Sequence, residues 1–355
     1  MSSLSVGYGE YEEDVRASGR LVGFIQRQGA LIALIVLVTF GVTRYGANFW
    51  SQYNIFSAFL NSNSYFLVIA LGMTFVIITG GIDLSVGSVA AMAAVAAARL
   101  SPQGLWPALL GAIGIGLLAG VINGVLVGRF RLQPFVVTLA MLLGARGAAL
   151  VLSNNAPVMV DFAAGFPALG GNAIGPIPLG PWTIGAVTLG PIPAPVVIAL
   201  VLFALGAVLL NLTRFGRHVL AIGGNEEAAR LAGLPITRTL VIVYALSGAL
   251  AGLAGAFVAA ISYSGAPTAG LGWELSAIAA VVVGGTLLTG GVGSVGGTLV
   301  GALLLGLIFN VLNFERGLGT FEITPFWENL IRGLFLLVVV IFQSRLARRL
   351  GATST

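Results

Sequence analysis

Apolar runs of about twenty residues follow one another from Gly29 almost to the C-terminus, and nothing else in the chain constrains its fold as strongly. A run of that length crosses the ~30 Å hydrocarbon core of a bilayer as a helix. Inside lipid every backbone polar group has to be satisfied within the protein, and a helix does this by itself. Charged residues make up 8% of the 355 residues, against about 25% in soluble domains. Most side chains must therefore face lipid or one another. The expected fold is an all-α polytopic membrane protein with one membrane domain over 28–345. A cytoplasmic segment 1–27 would precede it and a cytoplasmic tail 346–355 would follow.

The runs place about ten transmembrane helices near 28–45, 54–79, 82–99, 106–128, 134–152, 194–212, 239–262, 275–290, 293–313 and 326–344. Asn61, Ser62, Asn63 and Ser64 interrupt the second of these. The 17 basic residues test the topology, and all of them are Arg. With the N-terminus inside and an even number of spans, the inside holds Arg16, Arg20, Arg27, Arg129, Arg131, Arg214, Arg217, Arg230, Arg238, Arg345, Arg348 and Arg349. The outside holds Arg44, Arg99 and Arg316, while Arg146 and Arg332 fall within spans. Twelve against three is the bias of the positive-inside rule, so both termini are expected in the cytoplasm. Two long connections remain. Residues 153–193 form an external loop rich in Gly, Pro and Asn, and residues 213–238 form an internal loop.

Several chemistries are excluded. A chain without Lys cannot contain a G-x-x-x-x-G-K-[ST] phosphate loop, so ATP-driven work needs a partner protein. No Cys is present, which removes disulfides and thiolate metal sites, and His218 is the single His. No cofactor and no metal is expected. The Arg residues follow topology rather than forming a stripe, so a nucleic-acid partner is not expected either. Glu10, Glu12, Glu13 and Asp14 precede the first apolar run, a pattern unlike a cleavable signal peptide.

Ser64–Ala98 is too short for two straight crossings: its 35 residues reach about 52 Å as helix, whereas two passes need about 60 Å. In its middle lies Gly80-Gly81-Ile82-Asp83-Leu84-Ser85-Val86-Gly87-Ser88. The resolution is a broken helix whose turn sits at membrane depth, buried in protein or lining a wet cavity. Asp83 then reads in two ways, as a cap for the helix that follows or as a group acting in transport. A second break, Gly284-Gly285-Thr286-Leu287-Leu288-Thr289-Gly290-Gly291-Val292-Gly293-Ser294-Val295, has the same outline. Paired interruptions suggest an internal repeat around a central path, or simply close helix packing.

The internal loop contains a short helix with both ends marked. Asn225 is an N-cap and Glu226 and Glu227 suit the positive end of the dipole. Gly233 fits the position after the helix and Pro235 forbids continuation. Ala228, Leu231 and Ala232 can form a small apolar face. Two turns are not stable alone in water, so this helix is packed on the protein's own helix ends or on a partner.

At this point a resemblance becomes specific. The block Gly72-Met73-Thr74-Phe75-Val76-Ile77-Ile78-Thr79-Gly80-Gly81-Ile82-Asp83-Leu84-Ser85-Val86-Gly87-Ser88 resembles the ribose-type (monosaccharide) ABC permeases of the branched-chain amino acid/ribose permease superfamily. So do the loop Gly223–Gly233, the stretch Glu274–Thr286, and Asn123-Gly124 ahead of Pro134-Phe135-Val136-Val137-Thr138-Leu139. The resemblance implies a permease of a bacterial inner membrane. It would pair with a second permease subunit, as a homodimer or with a paralogue, and with two ATP-binding subunits or one fused tandem ATPase. A periplasmic or lipoprotein sugar-binding protein would deliver a monosaccharide. In such permeases the short cytoplasmic helix docks on the ATPase. By position this implies coupling roles for Gly224, Asn225, Glu226, Glu227, Ala228, Arg230 and Gly233.

Polar side chains within spans are costly unless partnered, which makes Asn61, Asn63, Thr79, Asp83, Asn123, Thr138 and Asn310 candidates for the translocation path. Asp161, Glu274, Glu315 and Glu322 are expected outside, as docking charges for a binding protein or as scattered solvated groups. A related permease for branched-chain amino acids or nucleosides would share this architecture. An ion-coupled secondary transporter would need more intramembrane ionisable groups than Asp83, Arg146, Glu328 and Arg332. An enzyme is not expected, because no His, Cys or paired-carboxylate constellation is available.

Overall fold

The computed structural model describes residues 28–51, 53–171, 182–184, 187–189 and 192–318, with 327, 330, 331, 333, 334 and 337. The first helices are α1 (Gln28–Asn48), α2 (Tyr53–Ile78, opening with a π-helical stretch), α3 (Val86–Leu100), α4 (Leu105–Gly128) and α5 (Pro134–Ser153). After β1 (Val158–Met159) and the single turn α6 (Ala168–Gly171) comes the hairpin of β2 (Trp182–Ile184) and β3 (Val187–Leu189). Then follow α7 (Ala194–Leu212), α8 (Arg214–Gly224), α9 (Glu226–Leu231) and α10 (Ile236–Ile261). Strand β4 (Ser264–Gly265), α11 (Trp273–Val283) and α12 (Val295–Leu318) complete the described elements.

Seven of these helices, α1, α2, α4, α5, α7, α10 and α12, are long and apolar enough to cross a membrane. Helices α3 and α11 have 15 and 11 residues, about 22 and 16 Å, and are too short to do so alone. The crossings expected at 82–99 and 275–290 are therefore shortened helices that adjoin the two Gly-rich breaks. The crossing expected at 326–344 lies outside the described residues apart from isolated helical positions, as do segment 1–27, Glu322 and the tail 346–355.

Composition decides which helix lies where. From Tyr65 to Ile78 helix α2 is apolar on every side, and it is mostly buried whereas α1 is not, as a helix without a polar face requires. Small residues let its neighbours close around it. Along α4 and α10, Gly116, Gly120 and Gly124 meet the backbone of Gly248, Tyr244 and Val241 so closely that a methyl group at any of them would collide. Backbones approach in this way when both faces lack side chains. Helix α3, built largely from Ala, fills the space beside α10 and α4. On the outside, α5 shows Phe135, Val136, Leu143 and Val151, side chains suited to lipid.

The connections differ from expectation in two places. The internal loop 213–238 carries α8 as well as the short helix; Thr213 caps α8 by accepting from the Gly216 N–H at 3.2 Å. The second difference concerns the segment after α10, expected as an external loop. It runs back along α3 instead. Residue Gly265 packs on the backbone of Ala94 and Val95, and Gly270 on that of Gly87, near the opposite end of α3. Pairing of β1 with β4 (Val158↔Gly265) holds its start. Arg146 of α5 holds its middle, donating to the carbonyls of Pro267 at 2.5 Å and Ala269 at 2.6 Å. Trp273 then stacks on Tyr65 of α2 with ring centroids 4.4 Å apart. Glu274, expected as an external charge, is half-buried beside Gly87 and close to Arg146.

Candidate functional site

The first break sits inside the helix packing, not at its edge. Asp83 is 1% exposed and meets Ser247, eleven residues into α10 and so about 16 Å along it. The carboxylate is surrounded by donors. Its Oδ1 accepts from the Ser85 N–H at 3.0 Å and the Ser85 hydroxyl at 2.6 Å. Its Oδ2 accepts from the Ser247 hydroxyl at 2.9 Å. Asn123 of α4 donates to Ser85 Oγ at 3.1 Å, and Thr138 of α5 donates to the Ile82 carbonyl at 3.1 Å. Asp83 thus steadies the turn just ahead of α3, which starts at Val86, and also ties that turn to α10.

Four of the seven polar candidates, Thr79, Asp83, Asn123 and Thr138, converge on this break. The other three lie at the far end of α2 and α12. Asn61 donates to the Gly170 carbonyl at 2.7 Å and Asn63 to the Phe59 carbonyl at 2.7 Å. Asn310 and Asn54 exchange amide hydrogen bonds at 2.9 and 3.3 Å. Each of these three has a structural partner, and Asn61 Oδ1 is in addition buried with none among the described residues.

The second break folds onto the first. Within it, Gly290 donates to Leu287 at 3.0 Å and Leu287 to Val292 at 3.1 Å. Gly291 donates out of the turn to the Ile78 carbonyl at 2.9 Å, at the end of α2. The end of α8 presses on both. A methyl group at Gly223 would run into the Ile78 carbonyl and the Gly291 N–H, Gly290 meets the backbone of Gly80 and Gly223, and Gly291 meets that of Gly224. Gly80, Gly290 and Gly291 all have positive φ (78°, 85° and 76°), which a side chain would strain.

Helix α9 hangs from this junction with its caps formed. Asn225 Oδ1 accepts from the Ala228 N–H at 2.9 Å. At the other end Gly233 (φ 75°) donates to Arg230 at 3.0 Å and Leu234 to Ala229 at 3.1 Å, the Schellman pattern. Glu226 pairs with Arg230 at 2.5 Å, while Gly224, Glu227 and Ala228 are exposed. The side chain turned inward is Ala229. Ala228, Leu231 and Ala232 stay outward, with Leu231 86% exposed.

Sequence reasoning missed Tyr244. It lies three residues before Ser247, on the same face of α10, with its hydroxyl buried near Asp83 and bonded to no group among the described residues. A tyrosine among small residues, three positions from a serine, was the available signal, since a buried Tyr hydroxyl usually finds a partner.

Residues 55–340 match the family model described as branched-chain amino acid transport system / permease component. The ribose import permease protein RbsC of Escherichia coli (strain K12) is 38% identical over 91% of this chain and 95% of its own. The protein of the same name from Bacillus subtilis (strain 168) is 37% identical, over 91% and 94%. The fructose import permease protein FruG of Bifidobacterium longum (strain NCC 2705) is 34% identical, over 88% and 89%. No solved structure matches. With the family model covering most of the helices and both breaks, the chain belongs to the branched-chain amino acid transport system / permease component family.

Proposed function

We propose that this chain is the membrane-spanning permease subunit of an ABC importer that brings a monosaccharide across the bacterial inner membrane. The relatives described above, named for ribose and fructose import, support the sugar, and membership of a transport family speaks against an enzyme. The observation that carries the reading is α9: a capped helix with an outward apolar face, hung from a junction of both helix breaks. Gly224, Asn225, Glu226, Glu227, Ala228, Arg230 and Gly233 shape or flank this coupling element. A separate ATPase, as two subunits or one fused tandem chain, closes on ATP and pushes α9. The glycine contacts then pass the push to α2, α3 and α12, and a path lined near Thr79, Asp83, Asn123 and Thr138 opens. A binding protein supplies the sugar, and a second permease, identical or paralogous, completes the membrane unit. Arg214, Arg217, Arg230 and Arg238 all lie in the segment that carries α8 and α9, and this bias supports placing both helices on the ATPase side.

The test is co-purification of the tagged chain with its ATPase from membranes, alongside uptake in vesicles. An ATPase subunit is expected with the wild type and is expected to be lost in Leu231→Asp, with Glu227→Arg weakening it less. Recovery of the permease alone, with uptake that follows an ion gradient and ignores ATP, would contradict the reading. Uptake of a branched-chain amino acid but of no sugar would keep the coupling and replace the substrate.

A further inference from the structure

A cleft of about 300 Å³ lies between the first break, the α4–α5 turn and α10, with Glu226 of α9 among its lining residues. Its inner end is chemically distinct from its mouth. There the Tyr244 hydroxyl, on a fully buried side chain that lines the cleft, makes no hydrogen bond to any group among the described residues. A phenol oxygen can both donate and accept, and buried polar groups are as a rule paired. Two of the neighbouring polar groups are already committed. Asp83 has its three donors, and the Thr79 hydroxyl donates to the Val76 carbonyl at 2.7 Å. Gly81 places no side chain against Tyr244: a methyl group there would stand 2.5 Å from the phenol oxygen.

We propose that this cleft is an inward-facing binding station for a neutral polyhydroxylated solute, in which the Tyr244 hydroxyl exchanges hydrogen bonds with a hydroxyl of the solute. This inference rests on the sugar-import reading above and adds the residue that holds the sugar on its way out. The charge pattern selects a neutral polyol. An amino acid needs a fixed cation and a fixed anion at the inner end, and there the Asp83 carboxylate already accepts three hydrogen bonds. At the mouth Arg131 and Glu226 are of opposite sign, and Glu226 is engaged by Arg230. The remaining wall is backbone at Gly80 and Gly81 and apolar surface at Val127 and Leu240, suited to the C–H face of a sugar ring. Because α9 borders the mouth, a push on α9 also changes access to the station.

The experiment uses the complete importer in proteoliposomes, with D-ribose, D-fructose and L-arabinose as probes, and reads sugar moved per ATP hydrolysed. ATP hydrolysis stimulated by loaded binding protein reports assembly. Tyr244→Phe keeps the ring and removes the hydroxyl, and is expected to lower the ratio about three- to tenfold. Gly81→Ala displaces the hydroxyl and is expected to do the same. The double variant should be no worse than either single one, because both act on one group. A wild-type ratio in Tyr244→Phe would overturn the proposal, and should that variant fail to assemble, Gly81→Ala decides on the same ratio. A wild-type importer that moves none of the probes would remove the sugar reading itself. One that moves a probe, with Tyr244→Phe moving it equally well, removes only the station.

Discussion

At the first break a carboxylate gathers three donors and a polar cleft opens beside it; at the second, Gly284–Ser294 carries no ionisable group and meets its neighbours through backbone. Both leave a buried helix at a Gly pair and both pass through Gly-Ser-Val near the start of the next helix. The shared outline shows that a broken helix needs glycine to turn. The different chemistry shows what each turn was left free to do. Side chains at the first break place polarity inside the packing, where an unpaired charge is costly. Bare glycines at the second, Gly290 and Gly291, bring α8, α2 and the turn into contact, so that they share one junction.

The sharpest way to break this comparison is at the junction. Gly223→Ala drives a methyl group into the Ile78 carbonyl, which is backbone and cannot swing aside. It is expected to cost about 3 kcal/mol or more and to abolish uptake, as checked by thermal unfolding of the purified permease and by vesicle transport. Asp83→Asn comes next. The amide keeps one acceptor and turns an NH₂ toward existing donors, so a loss of about 2–3 kcal/mol is expected in the same melt. Ser247→Ala removes one of three donors and should cost about 1 kcal/mol. At the second break Thr286 is buried with Oγ1 unpartnered among the described residues. Thr286→Val is therefore expected to stay within about 0.5 kcal/mol of wild type. An effect of Thr286→Val as large as that of Asp83→Asn would erase the proposed division between a polar break and a packing break.

Much of this was legible in the residues. Apolar runs gave the spanning helices, and chain length alone showed that Ser64–Ala98 had to break. The caps of α9 were readable because Asn225 and Gly233 act within a few residues of their own position. What failed to show was long-range. The segment after α10 looked like an external loop because Gly, Ser and Pro mark turns whether the chain turns in water or beside α3. The packing of Gly265 and Gly270 on α3, the β1–β4 pairing and the Arg146 contacts to Pro267 and Ala269 distinguish the two. The partners of Asn61, Asn63 and Asn310 were not legible either, because sequence shows a polar group within a span but not the carbonyl or amide it meets. Tyr244 was hidden for the opposite reason: a single aromatic residue in a long apolar helix reads as core until its hydroxyl is seen without a partner.

The central claim is that α9 and the helix breaks move as one body when the ATPase closes. The native chain has no Cys, so spin labels can be placed without background. Leu231, Val292 and Trp106 are all exposed and mark α9, the second break and the far end of α4. Distances would be measured by pulsed electron resonance in the full importer, without nucleotide and with ATP trapped. The expected result is an unchanged Leu231–Val292 distance together with a changed Leu231–Trp106 distance. A Leu231–Val292 distance that shifts with nucleotide while Leu231–Trp106 stays constant would contradict the claim.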